Sequence, residues 1–101
     1  MTHAYTGKLL RVDLGNSRVR EEPLDLQQAR AYIGGRGLAT KIVCDEVDAG
    51  IDPLSPGNQL ILATGPLTGT AAPCGGRFMA ITKGALTGTI ACSNCGGNFG
   101  P

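Results

Sequence analysis

The chain carries nearly the same glycine-rich stretch twice, and this repetition constrains its fold more than any other feature. Aligning Gly65 with Gly84 places GPLTGT on GALTGT, and allowing two extra residues in the second copy then places residues 74–76 on 95–97. Glycine is the usual residue where the backbone turns sharply or approaches another group closely, so we predict two similar strand–turn units. Their glycine-rich turns would lie on one side of a sheet and offer backbone N–H groups to a shared ligand. The alternative is a chance similarity among Gly, Thr and Ala.

Hydrophobic patterning predicts an α+β domain of β-sheets with two short helices. Asp25 is a suitable N-cap, with Gln28 three residues later as in a capping box, and Gly34, Gly35 and Gly37 interrupt the helical pattern that follows. The predicted elements are an N-terminal hairpin (8–14 and 17–22), helices at about 26–33 and 37–47, a loop at 51–58, a buried strand at 59–64, and strands at 78–82 and 89–92.

Composition excludes several classes of function. With 101 residues the chain has the size of one small domain, and its net charge of +1 gives no basic patch for nucleic acid. No apolar run approaches the roughly 18 residues of a membrane-spanning helix, and the N-terminus lacks the pattern of a secretory signal. We therefore expect a cytoplasmic protein whose four cysteines are reduced thiols.

Two arginines flanked by glycines are candidate anion-binding residues. Arg36 lies in GGRGLA ahead of a predicted helix, where glycines and a helix N-terminus can bind an anion; a plain bend between two helices with a surface arginine is the favoured interpretation. Arg77 follows Gly75-Gly76 and begins a predicted strand. Arginine beside glycine can approach a planar or phosphorylated ligand closely, but a solvent-facing arginine is an equally good interpretation.

The pair Cys92-Ser-Asn-Cys95 has the C-x-x-C spacing of metal and redox sites. A four-cysteine site needs a second pair, whereas Cys44 and Cys74 are isolated, so two reduced thiols beside a turn are the favoured interpretation. A zinc- or iron-binding domain ranks last among the alternatives. The single histidine, His3, gives no basis for a Ser–His–Asp or Cys–His arrangement.

Together these motifs resemble the N-terminal domain of the tungsten-containing aldehyde ferredoxin oxidoreductase family. The resemblance begins at GKLLRVDL, covers essentially the whole chain, and rests on GGRGLATKIV, then DPLSPGNQLILATGPLTGTAAPCGGRF, then TKGALTGTIACSNCGGNFG. It implies a base of two β-sheets on which a bis-pterin cofactor of tungsten (or molybdenum) lies, with magnesium bridging the pterin phosphates. It also implies a nearby [4Fe–4S] cluster, and oxidation of aldehydes to carboxylic acids with ferredoxin as electron acceptor.

The resemblance assigns roles to three residues. Arg77 matches the pterin-contacting arginine of the GGR motif, Asn94 matches an asparagine at the pterin and its magnesium, and Gly96 matches a glycine whose backbone approaches the pterin. No catalytic side chain is implied in this segment. Cys95 stands where many relatives have serine, and the cluster cysteines of the family lie in later domains, so Cys92 and Cys95 are not expected to ligate iron.

Residues 1–101 are thus expected to be an N-terminal cofactor-base domain, incomplete because it is truncated, separately encoded or only part of a subunit. Its expected partners are the rest of the enzyme chain or a larger subunit, and ferredoxin or another iron–sulfur protein; a homo-oligomer is left open. The alternative is a non-catalytic assembly or dimerisation module that retains the fold.

Overall fold

The computed structural model describes residues 4–101, so His3 lies outside the described part of the chain. Two antiparallel sheets and two helices make up this part, which confirms the predicted α+β class. The elements are β1 (Lys8–Asp13), β2 (Arg18–Pro23), α1 (Leu26–Tyr32), α2 (Gly35–Glu46), β3 (Ile61–Thr64), β4 (Phe78–Lys83) and β5 (Ile90–Cys95). Among the residues from 4 onward, no helix is long and apolar enough to cross a bilayer.

The first sheet is the predicted hairpin of β1 and β2, paired in a register that sets Val12 opposite Val19. Asp13 shapes its turn, because Oδ1 of that residue accepts hydrogen bonds from the backbone N–H groups of Gly15 (3.0 Å) and Asn16 (3.3 Å). This is the local side-chain-to-backbone bonding by which Asp favours turns.

Asp25 is the N-cap of α1, as predicted: its Oδ1 accepts from the backbone N–H groups of Gln27 and Gln28. The break between the helices lies at Ile33 and Gly34, whereas Gly35 and Gly37 belong to the first turn of α2, two residues earlier than predicted. A Cβ on Gly37 would lie 2.6 Å from the carbonyl oxygen of Tyr32, so this tight bend needs glycine there.

The core lies between α2 and one face of the second sheet. Ala39 and Val43 of α2, with Val47 directly after it, pack on Ile81 of β4, which is the largest fully buried side chain among the described residues. The prediction of a buried strand at 59–64 is only half right: Ile61 and Ala63 of β3 contact the core, but Leu62 is 53% exposed. Within residues 4–101 a helix covers one face of this sheet, so alternate residues of the strand remain in solvent.

Candidate functional site

The second sheet brings the predicted site residues to one of its ends. Its strand order is β3-β4-β5, all antiparallel, with Phe78 opposite Cys95 and Thr64 opposite Phe78. The last residues of β3 and β5 therefore lie beside the first residue of β4. We call this the Phe78 end of the sheet.

Gly75-Gly76 and Gly96-Gly97 lie side by side at the Phe78 end. Continuing the register beyond Phe78 and Cys95 sets Gly76 beside Gly97, and a Cβ on Gly76 would indeed lie 2.8 Å from the carbonyl oxygen of Gly97. For these two glycine pairs, the predicted gathering of the repeated stretches on one side of the sheet is confirmed.

The two LTGT segments, by contrast, lie at opposite ends of the sheet. Each forms a turn with its glycine in the left-handed region, Gly69 at φ 74° and Gly88 at φ 71°, so similar sequence gives similar local structure. The first turn follows β3 at the Phe78 end, but the second joins β4 to β5 at the other end, since consecutive antiparallel strands reverse direction. The prediction that both turns face a shared ligand is therefore wrong.

The glycines at the Phe78 end have two different environments. A Cβ on Gly75 would lie 2.7 Å from the carbonyl oxygen of Leu67, and one on Gly100 would lie 3.0 Å from that of Gly76. These positions need glycine because the chain packs against its own backbone. Beside Gly96, in contrast, a Cβ would meet no atom within 4 Å, and the residue is exposed. Gly96 is where a ligand could approach bare backbone.

Arg77 and Asn94 are in direct contact. Nη1 of Arg77 donates a hydrogen bond to Oδ1 of Asn94, and both side chains are exposed. Because strand residues alternate between faces and Met79 is paired with Asn94, Arg77, Asn94 and Gly96 share one face of the sheet. The structure thus brings all three predicted site residues together.

The exposed donors at this site suit an anionic, hydrogen-bonding ligand. Arginine has five N–H donors, so the bond to Asn94 leaves guanidinium donors for phosphate or a polar ring edge. The amide Nδ2 of Asn94 is a further donor. The side-chain oxygen Oδ1 of Asn94 is the only atom of this carboxamide suited to bind a magnesium ion. It already accepts a hydrogen bond from Arg77.

Thr68, which sequence analysis did not single out, supports the arginine. Its Oγ1 accepts from the backbone N–H of Gly65 (3.1 Å) and donates to the carbonyl oxygen of Arg77 (3.1 Å). The signal available in the sequence was a threonine three residues after a turn glycine, a spacing at which the hydroxyl can bond the local backbone. The first LTGT turn is thereby tied to the start of β4.

The C-x-x-C pair does not form a thiol site. Cys92 and Cys95 both lie in β5, and residues three apart in a strand point to opposite faces. Among residues 4–101, no group of three or more His, Cys, Asp or Glu side chains is arranged to hold a metal ion. The opposite directions of Cys92 and Cys95 weigh against the zinc- or iron-binding alternative.

Arg36 is exposed in the first turn of α2. The bend preceding it packs on the start of the first LTGT turn, since a Cβ on Gly34 would meet Pro66 and Gly65 at 3.2 and 3.3 Å. The glycines near Arg36 therefore serve the bend between helices, which was the favoured interpretation.

Comparison with known proteins gives relatives that agree with the family resemblance seen in the sequence. Residues 9–101 match the family model described as aldehyde ferredoxin oxidoreductase, N-terminal domain. The chain is 52% identical over 96 residues to the tungsten-containing aldehyde ferredoxin oxidoreductase of Pyrococcus horikoshii, and 51% identical over 96 residues to that of Pyrococcus abyssi. Each match covers 95% of this chain and 16% of the relative.

A solved structure has the same fold. It is the active site complex BamBC of benzoyl coenzyme A reductase in complex with 1,5-dienoyl-CoA, and it matches with a TM-score of 0.96 and 37% sequence identity. The match covers 100% of this chain and 16% of that one. The chain thus spans about one sixth of the length of the relatives it matches.

Proposed function

Because this chain belongs to the aldehyde ferredoxin oxidoreductase family, whose N-terminal domain it matches over residues 9–101, we propose that residues 1–101 are part of the base that holds a tungsten bis-pterin cofactor. The relatives named above are called tungsten-containing, and molybdenum is the alternative metal. When bound, the cofactor would supply the two-electron chemistry that converts an aldehyde and water to a carboxylic acid. The chain's own residues would bind and orient it.

The observation that carries the proposal is the contact between Arg77 and Asn94 beside the open backbone of Gly96. Asn94 holds the guanidinium in one orientation, which lowers the entropy lost when Arg77 binds a phosphate or a pterin edge. Gly96 leaves room for a flat ring system to approach the strand end. An exposed guanidinium, a carboxamide and bare backbone on one face fit a flat ligand that carries phosphates.

We further propose that Asn94 contributes to a magnesium site next to the cofactor phosphates. Its Oδ1 accepts from Arg77, so ligation through the side chain would require this oxygen to be shared with Arg77 or released by it. A guanidinium beside a divalent cation is electrostatically unfavourable. Phosphate oxygens lying between the two charges would reduce this repulsion.

The remaining functions of the enzyme would belong to polypeptide outside this chain. We propose that the rest of the enzyme chain or a larger subunit supplies the [4Fe–4S] ligands and the substrate pocket, and that ferredoxin or another iron–sulfur protein accepts the electrons in the cytoplasm. Aldehyde oxidation is the proposed reaction, because identity to the aldehyde oxidoreductases reaches 52% whereas identity to the benzoyl-CoA reductase complex is 37%. The 101-residue chain alone would be inactive.

The first prediction tests this role in the full enzyme. The double variant Arg77→Ala with Asn94→Ala removes the proposed ligand contacts from two exposed positions, so the fold should persist while cofactor is lost. We expect tungsten and pterin per enzyme to fall at least about tenfold, which for a tightly held cofactor requires a loss of affinity of more than about tenfold. Elemental analysis by mass spectrometry and fluorescence of oxidised pterin measure both contents.

Arg30→Ala is the matched control, since Arg30 is an exposed arginine in the last turn of α1 and should leave both contents unchanged. Wild-type cofactor content in the double variant would contradict the proposal. A native assembly that contains this fold but neither tungsten nor pterin would instead support the non-catalytic assembly module.

A further inference from the structure

An open cleft of about 1410 Å³ separates the hairpin from the second sheet. Its walls are β1 on one side and β3 on the other, and Leu38, Ala39 and Ile42 of α2 lie between them. Arg11 of the hairpin bonds Glu46 at the far end of the same helix (2.6 Å). The hairpin is thus attached to α2, with β1 and β3 on either side of this cleft.

The edges of both strands line the cleft. The cleft is lined by every residue from 8 to 15 and by every residue from 58 to 65. By contrast, β2 contributes only Arg18 and Arg20 to its lining. A strand that presented one face would contribute alternate residues, so consecutive lining indicates that an edge faces the opening. Within residues 4–101, β1 pairs only with β2 and β3 only with β4. Each therefore has one unpaired edge.

We propose that a β-strand from the remainder of the enzyme inserts between β1 and β3 and pairs with both. The two sheets would then become one sheet of six strands, in the order β2-β1-inserted strand-β3-β4-β5. This inference rests on the proposed function, in which the chain works inside a larger enzyme. Unpaired edges in adjacent positions are a natural template for such strand addition.

The surface of the domain supports an occupant from the same enzyme. Its accessible surface of 7093 Å² for 10.3 kDa exceeds the roughly 5400 Å² of a compact protein of that mass. Leu10 of β1 and Leu62 of β3 are 64% and 53% exposed at the cleft. The chain is 16% of the relatives' length, so abundant polypeptide is available to cover them.

The expected occupant is an extended segment of about four to six residues, the length of β3 and β1. Its side chains would alternate: one set would pack on Leu38 and Ile42 of α2, and the other would lie beside Leu10 and Leu62 on the opposite face. Both sets should therefore be mainly apolar, as in a strand buried on both faces.

Residue-resolved hydrogen exchange by mass spectrometry tests this, with the full enzyme compared to the 101-residue chain. In an edge strand about every second amide points away from its partner. We expect these amides in both β1 and β3 to exchange at least about 100-fold more slowly in the full enzyme. β4 is the internal control, because it is paired on both edges and should be protected in both forms.

Fast exchange of the outward amides in the full enzyme would overturn the inference, and so would protection confined to one of the two strands. Protection in the full enzyme that grows with its concentration would identify a second copy as the occupant and also overturn it. Tungsten and pterin are measured on the same samples. Protected edges in an enzyme without cofactor would refute the proposed function while leaving the inserted strand intact.

Discussion

At the scale of single residues, the glycines of the repeated stretch have two roles that their sequence does not distinguish. A Cβ on Gly76 would lie 2.8 Å from the carbonyl oxygen of Gly97, so glycine is needed there for the chain to pack against its own backbone. Gly96 faces open space and is available to a ligand. Both belong to a Cys-Gly-Gly triplet, Gly76 as its last residue and Gly96 as its middle one, and the pairing of β4 with β5 gives them different environments.

The second prediction follows from this difference. Gly76→Ala should destabilise the protein by about 1–3 kcal/mol, because two backbone segments must move apart to admit the methyl group. Gly96→Ala should change the free energy of unfolding by less than about 0.5 kcal/mol, yet lower the pterin content of the full enzyme. Denaturant unfolding and pterin fluorescence measure the two effects. Equal destabilisation by both substitutions would contradict the assignment.

The third prediction concerns Asn94, whose Oδ1 accepts a hydrogen bond from Arg77. Asn94→Asp adds a negative charge, which would hold the guanidinium more tightly and repel phosphate. If the side chain mainly orients Arg77, we expect pterin content to fall several-fold in the full enzyme. Magnesium ligation through Oδ1 predicts the reverse, since a carboxylate binds this cation better than an amide. Pterin and magnesium analysis of the one variant separates the two roles.

At the scale of elements, local patterns were predictable from the sequence and their arrangement was not. The N-cap at Asp25 depends on residues close in sequence, and it lies where the pattern indicated. The contact between Arg77 and Asn94 joins residues 17 positions apart and depends on the register of β4 against β5. Their joint role was therefore expected only from the family resemblance. The error over the LTGT turns has the same origin, because strand direction is a property of the sheet.

Arg11 connects two elements. It donates from Nε to Glu22 of β2 (2.7 Å) and pairs through Nη2 with Glu46 of α2 (2.6 Å). The hydrogen bond from Arg11 holds the pKa of Glu22 below its ordinary value of 4.5, and the same bond raises the pKa of Arg11. Glu22 thus holds the arginine that pairs with α2, and its negative charge is lost in acid.

The fourth prediction is a pH dependence of stability. A carboxylate whose pKa is lower in the folded state stabilises the fold above its unfolded pKa and loses this contribution as pH falls through the folded value. Glu22→Gln should therefore lower the unfolding midpoint at pH 7, and its deficit should shrink below about pH 4.5. Glu21→Gln is the control, because its exposed pair with Lys8 should contribute little. A deficit independent of pH would contradict the role of the ion pair.

At the scale of the whole molecule, the domain has a covered side and an uncovered one. The covered side is α2 on the second sheet, where the fully buried Ile81 lies. The uncovered side includes the cleft with Leu10 and Leu62. Apolar surface of this kind favours association when nothing covers it, and it stabilises a larger assembly when it is buried. Leu10 and Leu62 should therefore promote association of the 101-residue chain but stabilise the full enzyme.

The fifth prediction tests these two effects of Leu10 and Leu62. In the 101-residue chain, Leu10→Lys with Leu62→Lys should reduce concentration-dependent association, because the variant replaces exposed apolar surface with charge. In the full enzyme the same pair should lower the melting temperature by several degrees, since each lysine would have to enter a desolvated strand interface. Light scattering and calorimetry measure the two results.

Leu54→Lys controls for added charge, because Leu54 is 83% exposed and lies away from the cleft. A full enzyme that tolerates both lysines would mean that the cleft stays open to water.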